Sequence, residues 1–189
     1  NNIFCSDCAV SKSSKLPFVS VSCTTRKPLE LLHMDVWGPA PISSVHGFRY
    51  YVIIVDDYTK YSWFYPLQFK SDVFSTFVQF KLLIENKLDA KIISIRSDSG
   101  GEFLSSKFSK FLLAHGISHQ LSCPHTPEQN GCAERKHRHL VETARTLLTV
   151  SKVPHQYWVH AFSTAIYLIN RMPLASNVSL IQESSRVYL

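Results

Sequence analysis

Long apolar runs are missing from this chain. The longest, YYVIIV from Tyr50 to Val55, falls far short of the about 20 residues that span a bilayer, so no membrane partner is expected. No secretory signal pattern is visible. The five cysteines, an odd number, make no disulfide-like framework. These absences point to a reducing compartment, nuclear or cytoplasmic, and away from secretion. Internal repeats are missing too, so the 189 residues are expected to form one domain with modest extensions. Acidic residues are in the minority: 14 Asp and Glu stand against 20 Lys and Arg, a net charge of +6. That balance favours a polyanionic partner. A hydrophobic share of 45% suffices for a core. The first residue is Asn rather than Met, as in a piece of a longer protein.

What is present is a patterned centre between two unpatterned ends. Residues 1–27 are rich in Ser, Thr, Lys and Cys and read as a lead-in, whereas residues 174–189 read as a divergent tail. Between them, residues 28–173 carry the core. Leu29 to Trp37 predicts a strand stopped by Gly38-Pro39. Phe48 to Val55 and Tyr61 to Leu67 predict two more, joined by a turn at Asp56 to Lys60. Val73, Phe77, Phe80, Ile84 and Leu88 recur at helical steps, with Ser71 and Asp72 placed to cap. A fourth strand is expected over Ala90 to Ser97 and a helix over Ser105 to His115 ending at Gly116. A fifth strand, Ile117 to Leu121, and two helices, Cys132 to Ser151 and His155 to Arg171, complete the order. The fold class is therefore α/β, a five-stranded mixed sheet flanked by helices on both faces. Trp37, Trp63 and Trp158 are read as core.

Three acids fall on three different elements: Asp35 in LHMDVWGP, Asp98 in RSDSGGEF and Glu134 in QNGCAERKHRH. A helical crossover can lay the fourth strand beside the first. Asp35 and Asp98 then meet at the C-terminal edge, where open α/β sheets bind ligands. Glu134 sits in the first turns of the following helix, beside an apolar stripe of Ala133, Leu140, Ala144, Leu147 and Leu148. Crowded carboxylates repel and demand a counter-ion. Oxygen-only donors suit Mg²⁺ or Mn²⁺, and two such ions can flank a phosphodiester undergoing in-line displacement. Glu102 is a possible fourth acid, but a capping role at the next helix is the favoured reading.

The helix after Glu134 opens with Arg135-Lys136-His137-Arg138-His139 and continues to Arg145. Lys136, His137, Arg138 and Arg145 are the candidate phosphate contacts, with Arg138 foremost, whereas Arg135 and His139 point away. The loop holding His125, Thr126, Gln129 and Asn130 is a candidate flap over nucleic acid.

The strings LELLHMDVWGPAP, FRYYVIIVDDYTKYSWFYPL, SDSGGEF, LSCPHTPEQNGCAERKHRHLVETARTLL and YWVHAFSTAIYLINRMP resemble, in order, the integrase core of Copia-type LTR retrotransposons, the plant kind especially. The resemblance implies a ribonuclease-H-like fold and a DDE centre in which Asp35, Asp98 and Glu134 are the catalytic, metal-binding acids. It implies DNA integration by a polynucleotidyl transferase acting on double-stranded DNA, both element ends and target, and a homo-oligomer. Cys5 and Cys8 resemble the second half of a His-His-Cys-Cys zinc module, so Zn²⁺ is expected only if two histidines precede residue 1. Met34, Ser99 and Cys132 depart from the usual family residues without removing an acid. Alone, the chain is expected to be inactive. Two other readings stay open: a non-catalytic relic or domesticated nucleic-acid-binding module, and a ribonuclease on the same fold.

Overall fold

The computed structural model describes residues 25–122 and 131–172. Strands β1 (Leu31–Trp37), β2 (Tyr50–Asp56) and β3 (Ser62–Leu67) form an antiparallel meander. Helix α1 (Val73–Leu88) crosses to β4 (Ser94–Ser97), and α2 (Ser106–Ala114) crosses to β5 (Ser118–Leu121). Helices α3 (Gly131–Ser151) and α4 (Trp158–Ile169) follow. The sheet order is β3-β2-β1-β4-β5, with β1, β4 and β5 parallel to one another. The mixed sheet expected from the sequence is therefore the one observed.

Alternation along β2 assigns the two faces of the sheet. Val52 and Ile54 point to α1 and α2, joining Leu32, Met34, Phe77, Phe80, Ile95 and Phe108 in one core. Tyr51, Ile53 and Val55 point the other way, against Leu140, Ala144 and Leu148 of α3 and Trp158, Phe162 and Ala165 of α4. Asp35 pairs with Ile53, and Trp37 with Tyr51. Directly opposed residues share a face, so both lie on the α3 and α4 side.

Several boundaries differ from the sequence reading for local reasons. β4 begins at Ser94 because the preceding residues are used elsewhere. The buried Glu85 carboxylate accepts from the Ile92 N–H (2.9 Å) and pairs with Lys81 (2.8 Å) and Lys91 (3.2 Å). Asp72 does not cap α1 with its side chain; its carboxylate accepts from the Phe69 N–H at 2.9 Å and closes a short 3-10 turn over Lys70–Asp72. The last expected helix divides into a 3-10 turn, His155–Tyr157, and α4. Gly38 ends β1 with a φ of +136°, and a Cβ there would stand 2.5 Å from the Tyr50 ring. Asp56, expected in a turn, is instead fully buried at the end of β2, where it accepts from Leu29 N–H, Thr59 N–H and the Thr59 hydroxyl.

Candidate active site

The paired register runs Leu31 with Ser94, Leu32 with Ile95 and His33 with Arg96. Continued two residues past the last pair, the same offset brings Asp98 level with Asp35. Both stand at the C-terminal edge of adjacent parallel strands. Asp35 is half-buried on β1, whereas Asp98 is exposed just beyond β4. The Asp98 carboxylate turns back to accept from the Gly100 N–H at 3.1 Å.

Glu134 lies in the first turn of α3 and is exposed. Its helix is tied to the sheet by an interaction that the sequence reading missed. The Tyr51 hydroxyl hydrogen-bonds Nε2 of His137, and the two rings stack 5.8 Å apart at 22°. Tyr51 is on the face of β2 that Asp35 shares, so this bond draws the start of α3 towards Asp35. The only hint in the sequence is an aromatic residue two positions from the strand partner of Asp35.

The electrostatics of Asp35 reflect its acidic neighbours. The Asp35 carboxyl is pushed up to about 6, first by burial, then by the charge of Asp98, with Glu134 and Glu102 adding in the same direction. The Val36 N–H opposes the rise. Tyr51 is pushed upward by burial and by the Asp35 charge and stays a protonated phenol. Burial pulls His137 below the ordinary histidine value, keeping it neutral. Among the described residues, no three His, Cys, Asp or Glu groups close into a ready-made metal cage. The site is an open acidic face.

Glu102 differs from its expected role. Ser105 caps α2, accepting from the Phe108 N–H at 3.3 Å. The Glu102 carboxylate instead lies beside Asp98: a Cβ on Gly100 would meet Asp98 Oδ1 at 3.0 Å and Glu102 Oε1 at 3.0 Å. Lys70 reaches Glu102 at 3.5 Å. The spacing across the glycine pair, four residues from Asp98 to Glu102, was the available signal.

The basic residues divide. Arg138 and Arg145 are exposed on α3, and Lys136 is half-buried and engaged. His137, expected to meet phosphate, is half-buried and committed to Tyr51, with Trp37 6.4 Å from its ring. Trp158 is buried and Trp63 packs on the core as expected, but Trp37 is 36% exposed at the rim of the site. Cys5, Cys8, Gln129, Asn130, His125 and Thr126 lie outside the described residues, as do the lead-in up to residue 24 and the tail. Among the described residues, no helix is long and apolar enough to cross a membrane.

Comparison with known proteins gives this geometry a family. The Integrase core domain family matches residues 25–127. The chain is 53% identical over 169 residues to the retrovirus-related Pol polyprotein from transposon RE2 of Arabidopsis thaliana, covering 89% of this chain and 11% of the relative. It is 39% identical over 169 residues to the polyprotein from transposon TNT 1-94 of Nicotiana tabacum, covering 89% of this chain and 13% of that one. The chain thus spans only a small part of the curated relatives it matches. Among solved structures, one neighbour is the simian T-cell lymphotropic virus intasome in complex with PP2A regulatory subunit B56 gamma. Its TM-score is 0.64 at 16% identity, covering 82% of this chain and 53% of that one. Another is the HTLV-2 integrase catalytic core domain in complex with magnesium, TM-score 0.57 at 19% identity, covering 79% and 90%. The observed sheet and helices are those of the ribonuclease-H-like fold of retroviral integrase cores.

Proposed function

The chain belongs to the integrase core domain family, with Copia-type relatives, and from that premise we propose that it is a metal-dependent polynucleotidyl transferase core. In the joining step a DNA 3′-hydroxyl oxygen bonds to a target phosphorus as the target's own P–O3′ bond breaks, and the leaving 3′-oxygen takes up a proton to become a free 3′-hydroxyl. Asp35, Asp98 and Glu134 are the acids of the core. One observation carries the reading: at the edge of parallel strands, the charges of Asp98 and Glu134, both distant in sequence, raise the proton affinity of Asp35.

The donor set fits a hard divalent cation. It offers oxygen alone, and burial with like-charged neighbours leaves Asp35 short of counter-charge. Asp35, Asp98 and Glu134 would hold Mg²⁺ or Mn²⁺, which when bound would supply Lewis-acid activation of the attacking oxygen and charge stabilisation at the leaving one. The protein's own contribution is placement. β1 and β4 fix Asp35 and Asp98, and the Tyr51–His137 bond sets the start of α3 that carries Glu134. Arg138 and Arg145 offer positive charge to backbone phosphates from the same helix. The magnesium named for the HTLV-2 core, and its dimeric and trimeric forms, support the cation and self-association as properties of this chain too. Residues 28–173 are its catalytic unit.

The test is joining of a labelled duplex end to a target duplex with Mg²⁺ or Mn²⁺ by a longer protein that carries this core, because the chain alone is expected to be inactive. Asp98→Asn is expected to lose joining by at least about a thousandfold, within the range that electrostatic and metal contributions reach, while binding DNA as before. Equal joining by the variant removes Asp98 from the site. Cleavage of an RNA–DNA hybrid in place of joining favours the ribonuclease reading, and failure of every form to bind Mn²⁺ favours the non-catalytic one.

A further inference from the structure

A cavity of about 450 Å³ is lined by Trp37, two residues beyond Asp35, and by Ile42, Val141, Arg145, Trp158 and Phe162 among others. We propose that it receives a single unpaired nucleobase of the bound DNA, stacked on Trp37, with the flanking phosphate on Arg145. This extends the nucleic-acid reading above and rests on it.

Position is the first argument. Trp37 is two residues beyond Asp35 on the same face of β1, about 7 Å along the strand. That is roughly one nucleotide step from the acid edge. Rigidity is the second. The indole is backed by the buried Tyr51 ring, 5.4 Å away at 29°, and Tyr51 is in turn stacked on His137. A Trp that is 36% exposed yet held from behind is a prepared stacking surface, and bases stack on such surfaces without regard to sequence. Charge is the third. The walls are almost wholly apolar, which suits the faces of a base, whereas the exposed Arg145 at the rim suits a phosphate. Arg138 stands further up the same helix. An apolar protein side chain would fill the walls equally well, but it would not call for an exposed arginine among the lining residues. Taking a base out of a duplex is least costly at an end or in a single-stranded overhang, and a chain that joins DNA ends meets such nucleotides.

The experiment compares three labelled duplexes by fluorescence anisotropy: blunt, carrying a short single-stranded overhang, and carrying the same overhang without bases. The parent chain is expected to bind the overhang about tenfold tighter than its abasic form. Trp37→Ala is expected to bring that ratio close to one, and Trp37→Phe to retain part of it. Ile42 is 48% exposed on a loop, so Ile42→Glu blocks the mouth without touching the core and should also abolish the preference. If Trp37→Ala fails to fold, Ile42→Glu decides. A preference unchanged in Ile42→Glu or in folded Trp37→Ala overturns the proposal. So does a parent chain that binds all three duplexes alike, which leaves an apolar protein segment as the occupant. Failure to bind any duplex at low salt removes the nucleic-acid reading itself, and the cavity assignment with it.

Discussion

At Asp35 burial and neighbouring carboxylates act in one direction, and the consequence is measurable without any assay of activity. Its carboxyl titrates near 6 in the folded chain against 3.8 for the free group. The unfolded chain therefore gives up this proton at lower pH than the folded one. Folding loses stability as pH rises from about 4 to 6 and carries the full penalty above that, at most about 3 kcal/mol. Asp35→Asn removes the penalty. It is expected to raise Tm by several degrees at pH 8 without divalent cations, with the gain vanishing near pH 4; thermal melts across that range check it. A second expectation concerns Gly100, where a Cβ would press on the ends of the Asp98 and Glu102 side chains. Gly100→Ala should shift both carboxylates and weaken Mn²⁺ binding several-fold, while Tm moves little, because flexible side-chain ends give way more easily than backbone.

Two elements are joined by bonds that their own sequences do not announce. Asn170, just after α4, accepts from the Ser62 N–H at 3.0 Å and donates to the Ser62 carbonyl at 2.8 Å, standing in for a missing strand partner at the sheet edge. Asn170→Ala should cost about 2 kcal/mol in denaturant unfolding, by leaving both backbone groups of Ser62 unpaired. The Tyr51–His137 bond performs the same service for α3. Tyr51→Phe keeps the packing and loses the tie. It is expected to lower the rate of joining more than the affinity for DNA, a division that plain destabilisation does not produce. Periodicity made the helices and the first three strands legible because their apolar faces repeat over many residues. β4 and β5 were less so: only four residues each are paired, and the Glu85 clamp takes the residues before β4. Asp72 and Glu102 were misread for a shared reason. Each is an acid near a helix start, where a cap is the default expectation, yet the turn geometry aims one at Phe69 and the other at Asp98.

For the molecule as a whole, the strand order decides what the sequence pattern leaves open. Three hairpin-linked strands followed by crossovers admit more than one sheet. Only the arrangement with β4 beside β1 puts Asp35 and Asp98 at one edge. That placement followed from topology and was legible. Trp37 was not, since an aromatic residue at the end of a buried strand reads as core until the loop after it is seen to leave its ring open. The net charge of +6 and the exposed arginines of α3 lead to a fifth expectation. DNA affinity should fall steeply between about 50 and 200 mM salt, and Arg138→Ala should lower the log–log slope by about one. A salt-independent affinity would contradict phosphate contact along α3. The most direct measurement is a calorimetric titration with Mn²⁺ of the parent chain and of Asp35→Asn, Asp98→Asn and Glu134→Gln. Saturable binding weakened at least about tenfold by each substitution is the expected result. Binding that any one of the three leaves untouched would contradict a shared divalent-cation site.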